Sequence, residues 1–212
     1  MTPTPIEAWA DRLEGAIART PACCVDRVRV VAETASTQDA AVRLAGGTPG
    51  LLVVAGRQTG GRGQHGRTWA DTADLGVAAT FAIADAGRDS ADLAAAGGVA
   101  AYDAVRSLAP GAPLRLKRPN DLLALGADGV ARKLAGVLIE RRSGFVLVGI
   151  GVNVAQRDWP GELAASAISL AQLGVDADRV AVVEALIGAL SNAIALDRAQ
   201  LDERWDALRA DA

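Results

Sequence analysis

The spacing of hydrophobic residues predicts four helical segments in this 212-residue chain. Ile6, Trp9, Leu13 and Ile17 recur at helical intervals, which indicates an amphipathic helix over residues 5–19. Capping hydroxyls, paired glycines or prolines mark the ends of the other segments. The other three helical segments are expected over residues 36–46, 90–108 and 178–208, and the last of them should be interrupted at residues 193–197.

Short runs rich in valine, isoleucine and leucine predict strands between these helices. They lie in residues 25–34, 50–56, 75–85, 113–125 and 132–154, and the last two runs each contain a turn that joins two strands. Because strands follow one another through tight turns without a regular strand–helix alternation, we expect an α+β fold. It should contain a mixed, largely antiparallel sheet flanked by helices, which pack on one face. No repeat or linker divides the sequence, so one domain is expected over residues 1–212.

Composition excludes several classes of protein. A net charge of −3 and a pI near 5.2 argue against a general nucleic-acid binder. The two cysteines, Cys23 and Cys24, are adjacent, so neither a disulfide framework nor a cysteine–histidine metal cluster is expected. The sequence shows no signal-peptide pattern and no run of about 18 apolar residues that would span a membrane. We therefore expect a cytoplasmic protein without nucleic-acid or membrane partners.

Residues 56–69, GRQTGGRGQHGRTW, combine five glycines, three arginines and the only histidine of the chain. Glycine lets backbone N–H groups approach a ligand closely, and the arginine fork matches phosphate or carboxylate oxygens. The stretch therefore suits an anion that the chain wraps. It lacks the features of a Walker A loop and of a Rossmann fingerprint. A solvated surface loop is almost as good an interpretation of the residues alone.

Three further stretches place polar residues among apolar ones. In LKRPNDLLA, Asn120 and Asp121 stand at a proline turn, where the aspartate could hold Mg²⁺, orient a lysine or only cap the backbone. In RKLAGVLIE, Lys133 opens an apolar strand containing Gly136, and its ammonium could stabilise a reacting anion or simply reach solvent. In VGIGVNVA, a buried Asn153 would need partners, and a ligand could be one.

In their order and spacing, these stretches resemble the catalytic domain of biotin–protein ligases. The family motifs correspond to STQ at 36–38, QTGGRGQHGRTW at 58–69, KRPND at 117–121, KLAGVLIE at 133–140 and GIGVN at 149–153. The resemblance is close over residues 30–155 and weaker through a helical tail over 178–210. It implies the catalytic fold shared by class II aminoacyl-tRNA synthetases and biotin synthetase.

The resemblance also implies an activity. Such a ligase would form biotinyl-5′-adenylate from biotin, ATP and Mg²⁺, and would then acylate a lysine of a biotin carboxyl carrier domain. The glycine–arginine loop would fold over both anions and shield the adenylate from water. The implied catalytic residues are Lys133, Arg62 and Arg67. The implied biotin-binding residues are Ser36, Thr37, Gln38, Gln58, Arg62, Gly63, Gln64, Trp69, Lys133 and Gly136. The implied nucleotide-binding residues are Arg67, Trp69, Asn120, Lys133 and Asn153, with Asp121 as a Mg²⁺ ligand.

Three positions depart from the family pattern. Gln38 stands in place of asparagine, Gln64 in place of the second arginine of G-R-G-R, and Arg118 in place of the tryptophan of K-W-P-N-D. Gln64 removes a charge from the loop, which predicts weaker retention of the adenylate. Arg118 replaces a packing surface with a charge, and this charge has to be solvated or paired with another group. Neither the N-terminal helix-turn-helix module of repressor members nor a C-terminal β-barrel domain is recognisable. We therefore expect a near-minimal ligase, monomeric or homodimeric.

Three alternatives stay open. Lipoate–protein ligases share the implied fold and acyl-adenylate chemistry. A biotin-binding or biotin-sensing module with weak or no transfer activity would also be compatible with Gln64 and Arg118. A generic anion-binding α+β domain is the third interpretation, and the five ordered motifs disfavour it.

Overall fold

The computed structural model describes residues 3–70 and 74–209. The strands of these residues are β1 (Arg27–Thr34), β2 (Leu51–Gln58), β3 (Gly61–Arg62), β4 (Thr68–Trp69), β5 (Gly76–Ala84), β6 (Leu114–Lys117), β7 (Asp121–Leu125), β8 (Ala131–Arg142) and β9 (Phe145–Asn153). The α-helices are α1 (Trp9–Arg19), α2 (Thr37–Ala45), α3 (Ser90–Leu108), α4 (Leu163–Ser166), α5 (Arg179–Ala195) and α6 (Arg198–Leu208).

Seven strands form one sheet in the order β1-β2-β5-β9-β8-β7-β6. Only the β1–β2 pair is parallel, and every other neighbouring pair is antiparallel. The parallel pair requires a crossover, because a tight turn cannot join parallel strands, and α2 provides it. The prediction of a mixed, largely antiparallel sheet is therefore confirmed.

Helices pack on both faces of the sheet, several on one face and α2 on the other. Leu52 and Val54 of β2 join a large core with α1, α3, α5 and α6, whereas Leu51 and Val53 join a small core with α2. This follows from the alternation of side chains along a strand. The expectation of helices on one face is thus wrong for α2, which packs on the opposite face. Since α2 is only nine residues long, it covers only part of that face.

The expected helix boundaries agree with the structure at most ends. The break near residue 196 separates α5 from α6, and Asp197 and Gln200 form a reciprocal capping box there. Ser36 lies at the N-cap position of α2 but makes no side-chain cap hydrogen bond. No helix or strand was predicted for residues 155–177, and they contain α4 and a 3-10 turn at Ala171–Leu173. No helix among residues 3–70 and 74–209 is long and apolar enough to cross a membrane.

Cys23 and Cys24 are both half-buried free thiols. Burial raises the pKa of the Cys24 thiol to about 11, and its backbone N–H donates to Ser191 Oγ at 3.1 Å. A thiol with a raised pKa is a poor nucleophile at neutral pH. Both cysteines pack against the large hydrophobic core.

Arg179, the first residue of α5, joins the helix to the sheet. Its Nε donates to the carbonyl of Gly76 at 2.7 Å, a second N–H donates to the carbonyl of Gly56, and its guanidinium lies 5.0 Å from the ring centroid of Trp9. We expect Arg179→Met to lower the free energy of unfolding by about 2–3 kcal/mol, because two half-buried carbonyls lose a charged donor. Urea denaturation measures the change.

The matched control for this stability prediction is Arg198→Met. The Arg198 side chain is 71% exposed, and its two ionic contacts among the described residues are both long, at 3.8 Å, so its loss should cost less than about 0.5 kcal/mol. Equal unfolding midpoints for the two variants would show that Arg179 does not hold the helix to the sheet.

Candidate active site

Two adjoining cavities open on the face of the sheet that α2 covers only in part. The inner cavity encloses about 500 Å³ of empty space and the outer cavity about 1690 Å³, each including its open mouth. Five residues line both cavities and so mark the boundary between them: Gly63, Gln64, Trp69, Asn120 and Lys133. Groups bound in the two cavities would meet at this boundary.

Every site residue predicted from the sequence lines one of the two cavities. Those in the inner cavity are Ser36, Thr37, Gln38, Gln58, Arg62, Gly63, Gln64, Trp69, Asn120, Lys133 and Gly136. Those in the outer cavity are Gly63, Gln64, Arg67, Trp69, Asn120, Asp121, Lys133 and Asn153. The structure therefore brings four separate sequence stretches together, as well as the start of α2.

The sequence did not predict other parts of the walls. In the inner cavity these include Gly149 and Gly151, two glycines of the GIGVN motif to which no role was assigned. In the outer cavity they include Lys117, Trp159 and Ser166. The alternation of β9 could have identified the two glycines, because they share one face of that strand. No motif pointed to residues 159–167.

Two glycines form the floor beneath Trp69. Gly136 of β8 lies directly opposite Gly151 of β9 in the antiparallel register. A Cβ atom at Gly151 would lie 2.6 Å from Cε2 and Cζ2 of the Trp69 indole. A Cβ atom at Gly136 would lie 2.7 Å from Lys133 Cε and 3.2 Å from Trp69 Cζ3. Only glycine at both positions lets the indole and the lysine stem lie this close to the sheet.

Lys133 places a cation at the boundary of the cavities. Its Nζ lies 2.6 Å from Asp121 Oδ1 and 5.6 Å from the ring centroid of Trp69. Asn153 Nδ2 donates to the carbonyls of Lys133 and Ile168, both at 3.1 Å, and so fixes the lysine backbone. The Lys133 side chain is 36% exposed, which leaves its ammonium accessible to an anion. In this arrangement Asp121 orients a lysine, one of the roles left open by the sequence.

A chain of hydrogen bonds orders the inner cavity at the start of α2. Thr80 Oγ1 donates to Thr37 Oγ1 at 2.9 Å, and Thr37 Oγ1 donates to Gln58 Oε1 at 3.0 Å. The backbone N–H of Thr37 donates to the same Gln58 oxygen at 2.9 Å. Because its oxygen accepts two hydrogen bonds, the Gln58 amide is oriented, and its NH₂ group is the part left to donate.

Gln38 lines the inner cavity and has a buried acceptor oxygen. Its Nε2 donates to the Leu138 carbonyl at 3.0 Å, and the residue is only 4% exposed. Its Oε1 is buried and has no hydrogen-bond partner among the described residues. A Cβ atom at Gly149 would lie 2.5 Å from Nε2, so the glycine provides the space for this amide. A buried unpaired acceptor is costly, and a donor on a ligand would satisfy it.

Arg62 lines the inner cavity but is engaged by two carboxylates. Its guanidinium donates to Asp39 at 2.8 and 3.0 Å and to Glu140 at 3.2 and 3.3 Å, and Arg142 contacts both carboxylates. The hydrogen bond from Arg62, with help from Arg142, lowers the pKa of Asp39 to about 2. Asp39 therefore stays ionised at neutral pH, and an incoming anion has to compete with it for Arg62.

The glycine–arginine loop has regular structure. Gly61–Arg62 pairs with Thr68–Trp69 as a short antiparallel hairpin, and the Gly63 N–H donates to the Arg67 carbonyl at 2.7 Å. His65 and Gly66 have positive φ values of 56° and 73°, which closes the turn. This hairpin brings Arg62 to the inner cavity and Arg67 to the outer one.

Arg118 finds its partner on the C-terminal helix. It donates to Asp202 at 2.9 Å and lies 5.3 Å from the ring centroid of the buried Trp205. The charge that replaces the family's tryptophan is thus accommodated by an ion pair and a cation–π contact. Since both partners belong to α6, Arg118 joins this helix to the KRPND turn.

The chain is similar to known biotin ligases. Residues 28–156 match the profile of the Biotin/lipoate A/B protein ligase family. The biotin--[acetyl-CoA-carboxylase] ligase of Mycobacterium tuberculosis is 40% identical over 168 residues, which cover 72% of this chain and 59% of that protein. The ligase of the same name from Paracoccus denitrificans is 33% identical over 182 residues, which cover 82% of this chain and 73% of that protein.

A solved structure supports the same relationship. Biotin protein ligase from Aquifex aeolicus in complex with biotin and ATP superposes with a TM-score of 0.71 and 29% sequence identity, over 79% of this chain and 70% of that chain. This chain spans less than two thirds of the length of the Mycobacterium tuberculosis relative, at 59%. The matched profile covers more than half of the sequence and includes both cavities except the wall at residues 159–167. The chain belongs to the biotin/lipoate A/B protein ligase family.

Proposed function

We propose that this chain activates biotin with ATP as biotinyl-5′-adenylate and transfers the biotinyl group to a lysine of a biotin carboxyl carrier domain. The observation that carries the proposal is the position of Lys133, a cation at the boundary of an inner and an outer cavity. Further support comes from relatives named as biotin ligases and from a similar structure that contains biotin and ATP.

The inner cavity suits the ureido ring of biotin better than the dithiolane ring of lipoate. Gln38 Oε1 is a buried acceptor without a partner in the described structure, and a ureido N–H would satisfy it. The oriented NH₂ group of Gln58 suits the ureido carbonyl. A dithiolane has no N–H donor and would leave the Gln38 acceptor unpaired, which disfavours it strongly. Biotin is therefore the proposed substrate.

In the adenylation step, a biotin carboxylate oxygen forms a bond to the α-phosphorus of ATP. The bond from that phosphorus to the bridging oxygen breaks, and pyrophosphate leaves with the electron pair. Two anions approach each other in this step, and their repulsion is severe where water is excluded. The Lys133 ammonium lies at the boundary of the two cavities, where we propose that these charges meet, and it would exchange Asp121 for them in the reaction. Arg62 and Arg67, on either side of the hairpin turn, would neutralise the carboxylate and the phosphates.

In the transfer step, the amine of the acceptor lysine attacks the carbonyl carbon of the adenylate. An amide bond forms, the amine loses a proton, and AMP leaves with the electron pair of the broken C–O bond. Asn120 and Asn153 are proposed to orient the nucleotide side, although Asn153 Nδ2 already holds the backbone of Lys133. We further propose that the acceptor belongs to a biotin-dependent carboxylase, that the ligase acts in the cytoplasm, and that it is a monomer or homodimer.

Mg²⁺ would enter with the triphosphate of ATP and supply further neutralisation of its charge. The described residues contain no group of three or more histidine, cysteine, aspartate or glutamate side chains that could hold a metal ion. Asp121 and Asn120, which line the outer cavity, are the oxygen donors we propose for it. One or two protein ligands together with substrate phosphates are an ordinary environment for this ion. The residues present therefore fit Mg²⁺ as part of the nucleotide substrate.

Incorporation of labelled biotin into a carrier domain tests the function. We expect ATP-dependent transfer of biotin and no comparable transfer of lipoate to its own carrier domain. Preferential transfer of lipoate would establish the lipoate–protein ligase alternative. Saturable biotin binding without pyrophosphate release would instead support a sensing module.

Gln64→Arg should retain the adenylate longer than the native protein does. Gln64 lines both cavities, and an arginine there adds a charged donor next to the mixed anhydride. We expect release of labelled adenylate to slow by about fivefold or more, because one charge-assisted hydrogen bond contributes about 1–2 kcal/mol. Rapid gel filtration of the loaded enzyme measures this rate. Gln64→Ala is the matched control and should not slow release, and equal rates for all three proteins would contradict the prediction.

A further inference from the structure

The KRPND turn, residues 117–121, forms part of the wall of the outer cavity, and each of its five residues lines that cavity. The turn is attached to β8 at two points. Asn120 Nδ2 donates to the Val137 carbonyl at 2.5 Å, and the Val137 N–H donates to the Asn120 carbonyl at 3.0 Å. Asp121 Oδ1 lies 2.6 Å from Lys133 Nζ. The position of this turn therefore decides where Asp121 holds the lysine ammonium.

A further attachment joins the turn to α6 through Arg118. Its guanidinium donates to Asp202 at 2.9 Å and lies 5.3 Å from the ring centroid of Trp205. Trp205 is buried, and a Cβ atom at Gly98 of α3 would lie 2.6 Å from its ring, so the indole is packed tightly against that helix. An ion pair together with a cation–π contact on a packed ring restrains the arginine. Arg118 thus links the turn to the interface between α3 and α6.

The two α6 partners of Arg118 lie outside the walls of both cavities. Arg118 lines the outer cavity, but neither Asp202 nor Trp205 lines either cavity. The profile of the family ends at residue 156, and α6 begins at Arg198. An effect of Asp202 on the reaction would therefore have to act through Arg118 and the turn that carries it.

We propose that Arg118 is a positioning residue for adenylation. Held by Asp202 and Trp205, it fixes the KRPND turn so that Asp121 keeps the Lys133 ammonium at the boundary of the cavities. The proposal rests on the proposed function, since it concerns the rate of that reaction. It adds α6, which lies outside the motifs that resemble the family, to the parts of the chain that the reaction needs.

The rate of biotin-dependent pyrophosphate exchange in Asp202→Asn tests the proposal. This variant loses the ion pair with Arg118 but keeps the size of the side chain. We expect its rate at saturating biotin and ATP to fall about threefold, the size of effect that one exposed ion pair allows. The KM for biotin should stay within twofold of the native value, because Arg118 and Asp202 do not line the inner cavity. Asp202→Glu, which keeps the charge, should restore the native rate.

Two control variants separate this contact from a general loosening of α6. Asp103→Asn removes another ion pair of α6, in which Arg204 lies 2.7 Å from Asp103 of α3. Arg198→Met removes the second ionic contact of Asp202, which is long at 3.8 Å. Neither Asp103 nor Arg198 lines a cavity, so both variants should keep the native rate.

A double variant separates positioning from direct contact of Arg118 with the nucleotide. We expect Arg118→Ala to lower the saturated rate about tenfold, because the turn loses both the ion pair and the cation–π contact. Adding Asp202→Asn to Arg118→Ala should cause no further loss, because both changes remove the same interaction. A direct contact of Arg118 with ATP would instead leave Asp202→Asn with the native rate.

Four results would overturn the proposal. They are a native rate in Asp202→Asn, equal losses in Asp202→Asn and Asp103→Asn, failure of Asp202→Glu to restore the rate, and additive losses in the double variant. If the native protein shows no biotin-dependent exchange, the proposed function fails together with this inference. If the native protein shows exchange and Asp202→Asn matches it, only this inference fails.

Discussion

Replacing Lys133 with alanine will lower the rate of biotin-dependent pyrophosphate release by about 100-fold or more. The ammonium lies at the boundary of the cavities, 2.6 Å from Asp121 Oδ1, where the carboxylate and the α-phosphate are proposed to react. Its removal leaves two anions to approach each other without the intervening cation. The protein should still fold, because the Lys133 side chain is 36% exposed and the Asp121 side chain is 25% exposed. Steady-state pyrophosphate release and circular dichroism measure the two effects.

The only other lysine of the chain offers a matched control. Lys117→Ala removes the same charge from the outer cavity, but Lys117 does not line the inner cavity. We expect the rate of this variant at saturating ATP to fall by less than about tenfold, because Lys117 lies in the outer cavity and away from the boundary where the reaction is proposed to occur. Equal losses in the two variants would show that general positive charge, and not the position of Lys133, promotes the reaction.

Gly151→Val will weaken the binding of biotin by about tenfold or more, and it will weaken the binding of ATP as well. A Cβ atom at this position would lie 2.6 Å from two atoms of the Trp69 indole, a distance at which the ring has to move. Trp69 lines both cavities, so its displacement changes both at once. Forced displacement of a packed side chain costs about 1–3 kcal/mol, which sets the expected change in affinity. Isothermal titration with each substrate measures it.

Gly111→Val is the matched control for Gly151→Val. A Cβ atom at Gly111 has no heavy atom within 4 Å, so the substitution meets open space. Both affinities should stay within twofold of the native values, since this site is not part of either cavity. Native affinity for biotin and ATP in Gly151→Val would mean that Trp69 does not need to lie against the sheet.

Much of the fold could be predicted because each element carries a local signal. Apolar spacing indicated α1, and the break predicted at residues 193–197 lies where Asp197 caps α6. The position of α2 could not be predicted in the same way. Its apolar residues, such as Ala40 and Ala41, show that one face is buried but not which face of the sheet covers it. That choice depends on the handedness of the crossover between β1 and β2, which the apolar pattern of α2 does not carry.

The site was partly predictable for a related reason. Motifs identify residues near a ligand, and all the predicted site residues line the cavities. Partners distant in the chain have no local signal, which is why the ion pairs of Arg62 with Asp39 and Glu140 could not be predicted. The same holds for Arg118, whose partner Asp202 lies 84 positions later. Trp159 stands outside every motif, and only the folded chain places it in the outer cavity.

Biotin-dependent exchange of labelled pyrophosphate into ATP, without any acceptor protein, tests the central claim most directly. The claim is that the two cavities bring a carboxylate and a nucleotide together at Lys133. We predict exchange only when biotin and ATP are both present, with a loss of about 100-fold or more in Lys133→Ala. Saturable binding of both substrates to the native protein without any exchange would contradict the account.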